Sequence, residues 1–264
     1  MSETALALTT AAITIAIVMV ATWIVSVAIR NASIVDITWG LGFVIVAWAV
    51  RLRVDGLDSR QWLLTAMTTI WGLRLAGYLA WRNLGHGEDY RYRAMRKRWG
   101  SRFTLVSLVT VFAFQGLMMW IVSLPVQLGQ ADPTPARIGV LAWIGVAVWV
   151  VGLGFETIGD AQLARFKADP TNAGKVMDRG LWRYTRHPNY FGDACVWWGI
   201  ALVAAETGSG AWGLIGAALM TLLLRRVSGV TLLEKSLVKR REGYTEYVAR
   251  TSPFIPRPPK RTAG

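Results

Sequence analysis

The sequence predicts an all-α integral membrane protein, a bundle of about seven transmembrane helices. Of its 264 residues, 53% are hydrophobic and only 17% are charged, whereas roughly a quarter of the residues in a soluble globular domain are charged. Apolar runs that could cross roughly 30 Å of hydrocarbon, at about 20 residues each, recur along the chain. The fourteen tryptophans suit helix ends at the membrane interface, where the indole ring is favoured.

The apolar runs place the predicted helices in order along the chain. The predicted spans are 6–29, 34–52, 62–82, 103–125, 136–158, 188–205 and 210–227. Each is far longer than the four to eight residues of a buried strand, so the helical interpretation is favoured. The first run is too long for the core of a signal peptide, and Glu3 precedes it where a signal peptide has basic residues. It is therefore predicted to remain as the first helix.

The distribution of basic residues predicts the orientation. Arginine and lysine are dense in 83–102, in 159–187 and after Leu224, whereas 126–135 and 206–209 contain only acidic charges. Because cytoplasmic loops are rich in basic residues, we expect the N-terminus outside and the C-terminus in the cytoplasm. The expected location is a bacterial inner membrane, with the active site facing the cytoplasm. Arg51, Arg53 and Arg60 lie on a predicted outer loop and run against this rule.

The net charge of +13 does not indicate a nucleic-acid partner, because the basic residues lie in short segments between apolar runs. They suit anionic membrane lipids and the phosphates of a cofactor. The single cysteine, Cys195, excludes an intramolecular disulfide. His187 and His86 are the only histidines and have no metal-site spacing around them. No metal is therefore expected.

Several polar residues fall inside or beside the apolar runs, near the predicted cytoplasmic side. They are Asp36, Tyr78, Glu156, Asp160, Asn189, Tyr190 and Asp193. Because polar groups near hydrocarbon are costly unless they are paired or line a wet cavity, this cluster predicts a functional site.

One face of the third predicted helix combines arginine with tyrosine. Arg74, Tyr78 and Arg82 follow one another at i, i+4 and i+8 and therefore share a face. Arg74 lies too deep to reach the headgroups easily and needs a partner, for which we expect a carboxylate such as Asp36. Such a pair would either fix helix packing or lie close to bound substrate.

The segment 180–199, GLWRYTRHPNYFGDACVWWG, resembles the C-terminal signature of the steroid 5-alpha-reductase-like membrane proteins, in particular their bacterial branch of unassigned function. It is also similar to the related sterol reductases and isoprenylcysteine carboxyl methyltransferases, which have an Arg-His-Pro-x-Tyr-x-Gly core. The resemblance is strongest over 155–256 and is present at 31–43 and 71–92.

The resemblance implies an oxidoreductase that uses NADPH to reduce a carbon–carbon double bond conjugated to a carbonyl. A hydrophobic lipid or steroid-like substrate would enter from the bilayer. Asp36 and Tyr78 are the implied catalytic residues, by position. The implied cofactor-binding residues are Asp160, Lys167, Arg183, Arg186, His187, Asn189, Tyr190, Asp193 and Glu234.

We expect one membrane domain over 1–264, with substrate-side helices in 6–125, a cofactor-binding region in 136–256 and a flexible tail from 257 to 264. An amphipathic helix on the cytoplasmic face is predicted over 231–250. Two other functions stay open. One is S-adenosylmethionine-dependent methyl transfer to a lipid or prenylated substrate, and the other is a lipid-binding membrane protein without catalytic activity.

Overall fold

The computed structural model describes residues 1–227, 241 and 243–260, and within these ranges the chain is helical and contains no strand. The helices are α1 (Glu3–Ala28), α2 (Ile34–Arg51), α3 (Asp58–Asn83), α4 (Tyr90–Trp99), α5 (Phe103–Ser107), α6 (Phe114–Val122), α7 (Leu124–Gln130), α8 (Val140–Ala168), α9 (Pro188–Ala204), α10 (Leu214–Leu222) and α11 (Tyr244–Arg250). A π-helical turn, Leu108–Ala113, joins α5 to α6, and a second, Leu223–Val227, follows α10. The all-α prediction is confirmed for this part of the chain.

Four helical stretches in the described part of the chain are long and apolar enough to cross a membrane. They are Glu3–Ala28, Ile34–Arg51, Tyr90–Val122 and Val140–Ala168. The predicted spans 6–29, 34–52, 103–125 and 136–158 correspond to them. The other three predicted spans, and the orientation of the chain, stay predictions.

Two observed helices extend beyond their predicted ends. α3 begins at Asp58 and α8 continues to Ala168. The predicted limits followed the apolar residues, but residues such as Gln162 and Arg165 are good helix formers and continue a helix after its hydrophobicity ends. Asp160 and Lys167 consequently lie on the last turns of α8.

The described chain divides into two compact units. The first unit comprises Met1–Trp143 and Ile200–Gly216, and the second comprises Ile144–Gly199 and Ala217–Gly264. In the first unit, α2 and α3 approach closely at Gly40 and Gly72. A Cβ atom on either glycine would lie 2.6 Å from the carbonyl oxygen of the other, so only glycine permits this helix contact.

Two of the three arginines that run against the charge rule, Arg51 and Arg60, have partners inside the first unit. Arg60 is fully buried, and its guanidinium donates to the carbonyl oxygens of Asp132 and Pro135, each at 2.9 Å. Arg51 pairs with Asp58 at 2.9 Å, and its guanidinium lies 4.0 Å from the ring centroid of Trp62. Arg51 and Arg60 hold the connecting segments together through these contacts. Their positions therefore need not follow the rule that basic residues mark cytoplasmic loops.

Glycines also define the contact between α8 and α9 in the second unit. A Cβ on Gly152 would lie 2.6 Å from the carbonyl oxygen of Gly192, and one on Gly199 would lie 2.6 Å from that of Gly145. The glycines of each pair recur seven residues apart on both helices, which run antiparallel. Their main chains therefore touch at two levels, where any side chain would force them apart.

The C-terminal segment of the second unit pairs with the segment that precedes α9. Thr185 and Ser252 form an isolated parallel bridge, and the N–H of Arg257 donates to the carbonyl of Tyr184 at 3.0 Å. Of the amphipathic helix predicted over 231–250, the described part is α11 with Arg241 and Gly243. In the predicted flexible tail, the N–H of Lys260 bonds to the carbonyl of Arg250 at 2.9 Å, and 261–264 lie outside the described residues.

Candidate functional site

Asp36 lies in a polar cluster at the start of α2, which we call the Asp36 cluster: Asp36, Asp89, Arg91 and Tyr92. The Tyr92 hydroxyl donates to Asp36 Oδ1 at 2.8 Å, and Arg91 Nη2 donates to Asp36 Oδ2 at 2.9 Å. One oxygen of Asp36 thus accepts a hydrogen bond from a neutral donor, and the other oxygen accepts one from a charged donor. Gln115 Nε2 lies 3.5 Å from the Tyr92 hydroxyl, and Tyr92 is only 6% exposed.

Side chains around the start of α4 hold this cluster in place. Asp89 caps α4 by accepting from the N–H of Arg91 at 2.9 Å, as expected for an acidic N-cap residue. The N–H of Asp89 donates to the Ser33 hydroxyl at 2.6 Å. Glu88 accepts from the N–H of Ala32 at 2.8 Å. The beginning of α4 is therefore attached to the turn between α1 and α2, and Tyr92 is carried to Asp36.

The predicted pairing of Asp36 with Arg74 is wrong, because both oxygens of Asp36 bind the α4 residues Arg91 and Tyr92. The predicted shared face on α3 is confirmed. The guanidinium groups of Arg74 and Arg82 lie 5.5 and 5.8 Å from the ring centroid of Tyr78. Tyr78 is thus sandwiched by cations on its own helix, and the tyrosine that bonds to Asp36 is Tyr92. The catalytic role of Tyr78 stays a prediction.

Sequence reasoning missed Tyr92 and Arg91 as site residues. Both were counted only as part of a basic, interfacial segment. The available signal was that the resemblance over 71–92 reaches Tyr92, directly after the acidic pair Glu88 and Asp89.

Glu88 forms a bidentate ion pair with Arg96, with distances of 2.8 Å to Nη2 and 3.0 Å to Nε. Burial raises the pKa of Glu88, but the hydrogen bonds from Arg96 and Ala32 outweigh it, and the pKa lies below its ordinary value. A depressed carboxyl pKa adds stability that is complete above the unfolded pKa and is lost as the pH falls through the folded pKa. Stability should therefore decline under acid.

Replacing Glu88 with glutamine should lower stability at neutral pH by about 1–3 kcal/mol, because a charged hydrogen-bond acceptor is lost. The difference in melting temperature between wild type and Glu88→Gln should shrink as the pH is lowered toward about 4, the ordinary range of a glutamate pKa. Thermal unfolding in detergent over a pH series measures both effects. Glu246→Gln, an exposed glutamate in α11, is the control and should match wild type throughout. A constant difference at every pH would contradict this prediction.

The predicted cofactor residues that the structure describes lie in the second unit, and two pairs of them are in contact. Asn189 Nδ2 donates to Asp160 Oδ1 at 3.1 Å, which connects the start of α9 to the end of α8. The rings of His187 and Tyr190 are stacked, with centroids 5.4 Å apart and planes at 2°. We call these four residues the Asn189 cluster. Asp160 and His187 are both buried, so packing inside the protein fixes the positions of their side chains.

Arg186 is buried and turns toward the C-terminal segment. Its Nη1 donates to the carbonyl oxygens of Val248 at 3.1 Å and Thr251 at 2.5 Å. A cation at the C-terminal end of α11 also compensates the negative end of the helix dipole. Arg186 therefore has a structural function. Its predicted contact with a cofactor stays a prediction.

The other predicted cofactor residues differ in exposure. Lys167 and Arg183 are exposed, at the end of α8 and in the 3₁₀ turn Gly180–Arg183. Asp193 is buried on α9, one turn after Asn189. Glu234 lies outside the described residues. Within the described part of the chain, no three His, Cys, Asp or Glu side chains are placed to hold a metal.

These apolar helices, with polar clusters at helix ends, define a helical membrane protein that has two built polar sites. The chain belongs to the family described as "Protein of unknown function (DUF1295)", whose model matches residues 22–251, a family associated with steroid 5-alpha-reductase-like membrane proteins. The uncharacterized protein C594.04c of Schizosaccharomyces pombe is 25% identical to this chain over an alignment of 273 residues. The alignment covers 89% of this chain and 75% of that protein. No solved structure matches the chain.

Proposed function

We propose that the protein is a membrane reductase that uses NADPH to saturate a carbon–carbon double bond conjugated to a carbonyl in a steroid-like or other lipid. The single observation that supports this proposal is the hydrogen bond between the Tyr92 hydroxyl and Asp36. Reduction of an enone places negative charge on the carbonyl oxygen, and a positioned acid stabilises that charge. A buried tyrosine joined to a carboxyl group is suited to donate there.

In the proposed reaction, the Tyr92 hydroxyl turns toward the carbonyl oxygen of the substrate. Asp36 takes up one proton from water before each turnover. This proton passes to the Tyr92 oxygen while the Tyr92 hydroxyl proton passes to the carbonyl oxygen, and hydride adds to the β carbon. The product is an enol, which becomes the saturated ketone by moving its hydroxyl proton to the α carbon. Arg91, at 2.9 Å, stabilises the Asp36 carboxylate that remains.

The second unit has side chains suited to NADPH, which supplies the hydride when bound. Lys167 and Arg183 are exposed cations that can pair with phosphate groups. The stacked rings of His187 and Tyr190 offer a flat surface for an aromatic base. Asn189 and Asp160 provide an amide and a carboxylate for hydroxyl groups of a ribose. The donor set therefore fits a dinucleotide.

An apolar substrate suits the surroundings of the Asp36 cluster. Trp39 follows Asp36 by about one helical turn, and its ring packs edge-to-face on Phe43 with centroids 5.1 Å apart. Phe43 packs in turn on Trp71 at 5.6 Å. Phe43 and Trp71 are buried and support the partly exposed Trp39, whose ring can contact an apolar substrate that has one oxygen at its end.

The proposal is tested by thermal unfolding of the detergent-purified protein with NADPH, NADH, S-adenosylmethionine or S-adenosylhomocysteine. A ligand that binds only the folded state stabilises it by mass action, by about 2.7 kcal/mol at a hundredfold excess over Kd. We expect NADPH to raise the melting temperature of wild type and of Asn83→Ala, but not that of Asn189→Ala. Each shift is measured from the ligand-free value of the same variant, so that lost stability is not mistaken for lost binding.

The other outcomes assign the other functions. Stabilisation by S-adenosylmethionine in place of NADPH would contradict the proposal and favour methyl transfer. A protein that responds to none of the four ligands would fit the non-catalytic lipid-binding function.

A further inference from the structure

A cavity of about 290 Å³ lies in the first unit at the C-terminal end of α1. Residues from the end of α1 form one side and residues of α4 and α5 form the other: Ser26, Val27, Arg30, Arg96, Phe103 and Thr104. Two arginines and several hydroxyl groups thus face one small volume, and the Asp36 cluster does not contribute to it.

Arg30 has an unusual backbone conformation. Its φ is 53°, and it is the only residue other than glycine with a positive φ among the described residues. The N–H groups of Arg30 and Asn31 bond to the carbonyls of Val27 and Ser26 at 3.2 and 2.9 Å, the pattern that ends many helices with one residue in this conformation. Glycine is the usual residue there because it has no Cβ atom. In the described part of the chain, no protein group accepts a hydrogen bond from the Arg30 guanidinium. The Arg30 side chain can therefore bind a ligand, at a position where glycine would fold more easily.

Arg96 is the second cation of the cavity, and its orientation is fixed. Glu88 binds Nε and Nη2 of Arg96, and the guanidinium lies 4.5 Å from the ring centroid of Phe103. Nη1 remains for a further acceptor. With the five donors of Arg30, this arrangement matches an anionic oxygen group such as a phosphate, which arginine binds by paired hydrogen bonds.

An exposed apolar stripe on α1 ends at the same cavity. Ile13, Ile17, Val20, Ile24 and Val27 are 56%, 65%, 45%, 56% and 40% exposed. Their spacing of four, three, four and three residues places them on one face. The stripe is about 21 Å long at 1.5 Å per residue, and Val27 belongs to both the stripe and the cavity lining.

We propose that the cavity binds the headgroup phosphate of an anionic phospholipid, with an acyl chain lying along the α1 stripe. Arg30 supplies the positive charge for the phosphate, Arg96 donates a hydrogen bond to it from Nη1, and the exposed isoleucines and valines contact the acyl chain. A soluble phosphate would use the arginines but would have no need of the stripe. The continuity of stripe and cavity therefore favours the lipid.

Arg30→Gly separates binding from folding, because glycine adopts this φ without strain. We expect the variant to melt about 2 °C higher than wild type in neutral detergent. Its apparent affinity for phosphatidylglycerol in mixed micelles, measured by thermal shift, should be lower than that of wild type by a factor of about ten or more. Arg98→Gln, an exposed arginine on α4 that does not line the cavity, is the control and should bind as wild type does.

Parallel titrations with phosphatidylcholine, glycerol phosphate and inorganic phosphate distinguish the source of the anion. Unchanged binding of phosphatidylglycerol by Arg30→Gly would overturn the proposal. Equal stabilisation by phosphatidylcholine would overturn anion selectivity, and equal stabilisation by glycerol phosphate or inorganic phosphate would overturn the lipid assignment. If Arg30→Gly fails to fold, Arg30→Gln, which keeps most of the side chain, is measured in the same way and must show the same loss.

Discussion

Replacing Asp36 with asparagine should lower the rate of enone reduction by about 10²- to 10⁴-fold, the usual contribution of a positioned general acid. The amide keeps the size of the carboxyl group but cannot deliver its proton. Tyr92→Phe should have an effect of similar size, because the proton from Asp36 then has no hydroxyl to pass through. Since the two residues form one relay, the double variant should be scarcely slower than either single variant.

Single-turnover oxidation of NADPH in the presence of a 3-oxo-4-ene steroid measures this rate, and the fluorescence of bound NADPH measures cofactor affinity. The affinity should be unchanged in both variants. Asp58→Asn is the control, since Asp58 also pairs with an arginine at 2.9 Å but lies outside the Asp36 cluster. Activity that survives Asp36→Asn would contradict the proposed relay. A double variant whose fold-loss in rate is the product of the two single fold-losses would contradict it as well.

The second large effect concerns the glycines between α8 and α9. Gly192→Ala should destabilise the protein by about 1–3 kcal/mol, as an overpacked contact does. The new Cβ would lie 2.5 Å from the carbonyl oxygen of Gly152 and 2.5 Å from the amide nitrogen of Glu156. Neither is the end of a flexible side chain, so the helices must separate. Gly192→Leu should prevent assembly of the α8–α9 pair.

Gly154→Ala on α8 provides a control of the same chemistry. Nothing lies within 4 Å of a Cβ placed on Gly154, so alanine should stabilise the helix by about 0.5–1 kcal/mol. Unfolding of both variants by a graded denaturing detergent, followed by circular dichroism, gives the comparison. Equal effects of the two substitutions would contradict the helix contact described here. Because Gly192 lies between Asn189 and Asp193, its substitution should also weaken the response to NADPH.

The sequence could predict the features that depend on composition and on helical periodicity. The apolar runs predicted the four stretches that are long and apolar enough to cross a membrane, although two of these stretches extend ten or more residues beyond their predicted ends. The spacing of Arg74, Tyr78 and Arg82 placed them correctly on one face. The hydrogen bond between Asn189 and Asp160 agrees with the prediction that these residues belong to one site. The first two features are local, and the third follows from the resemblance over 155–256.

The sequence could not predict partners that depend on how distant segments pack. Asp36 binds α4 because Ser33 and Ala32 hold the residues just before α4, a contact between segments more than fifty positions apart. Arg186 was interpreted as a cofactor contact, and the sequence did not show that it also binds main-chain carbonyls. Every residue has a main-chain carbonyl, so the sequence does not indicate which carbonyls accept hydrogen bonds from an arginine.

The pairing of the segment before α9 with the C-terminal segment has a consequence for biosynthesis. Thr185 and Arg186 bind residues 248–254, which the ribosome adds about sixty residues later. All partners of Asp36 in the described part of the chain are present once α4 has been made. Because chains begin to fold from the N-terminus during synthesis, the Asp36 cluster can form co-translationally, whereas the contacts of Thr185 and Arg186 form only after residues 248–254 have emerged.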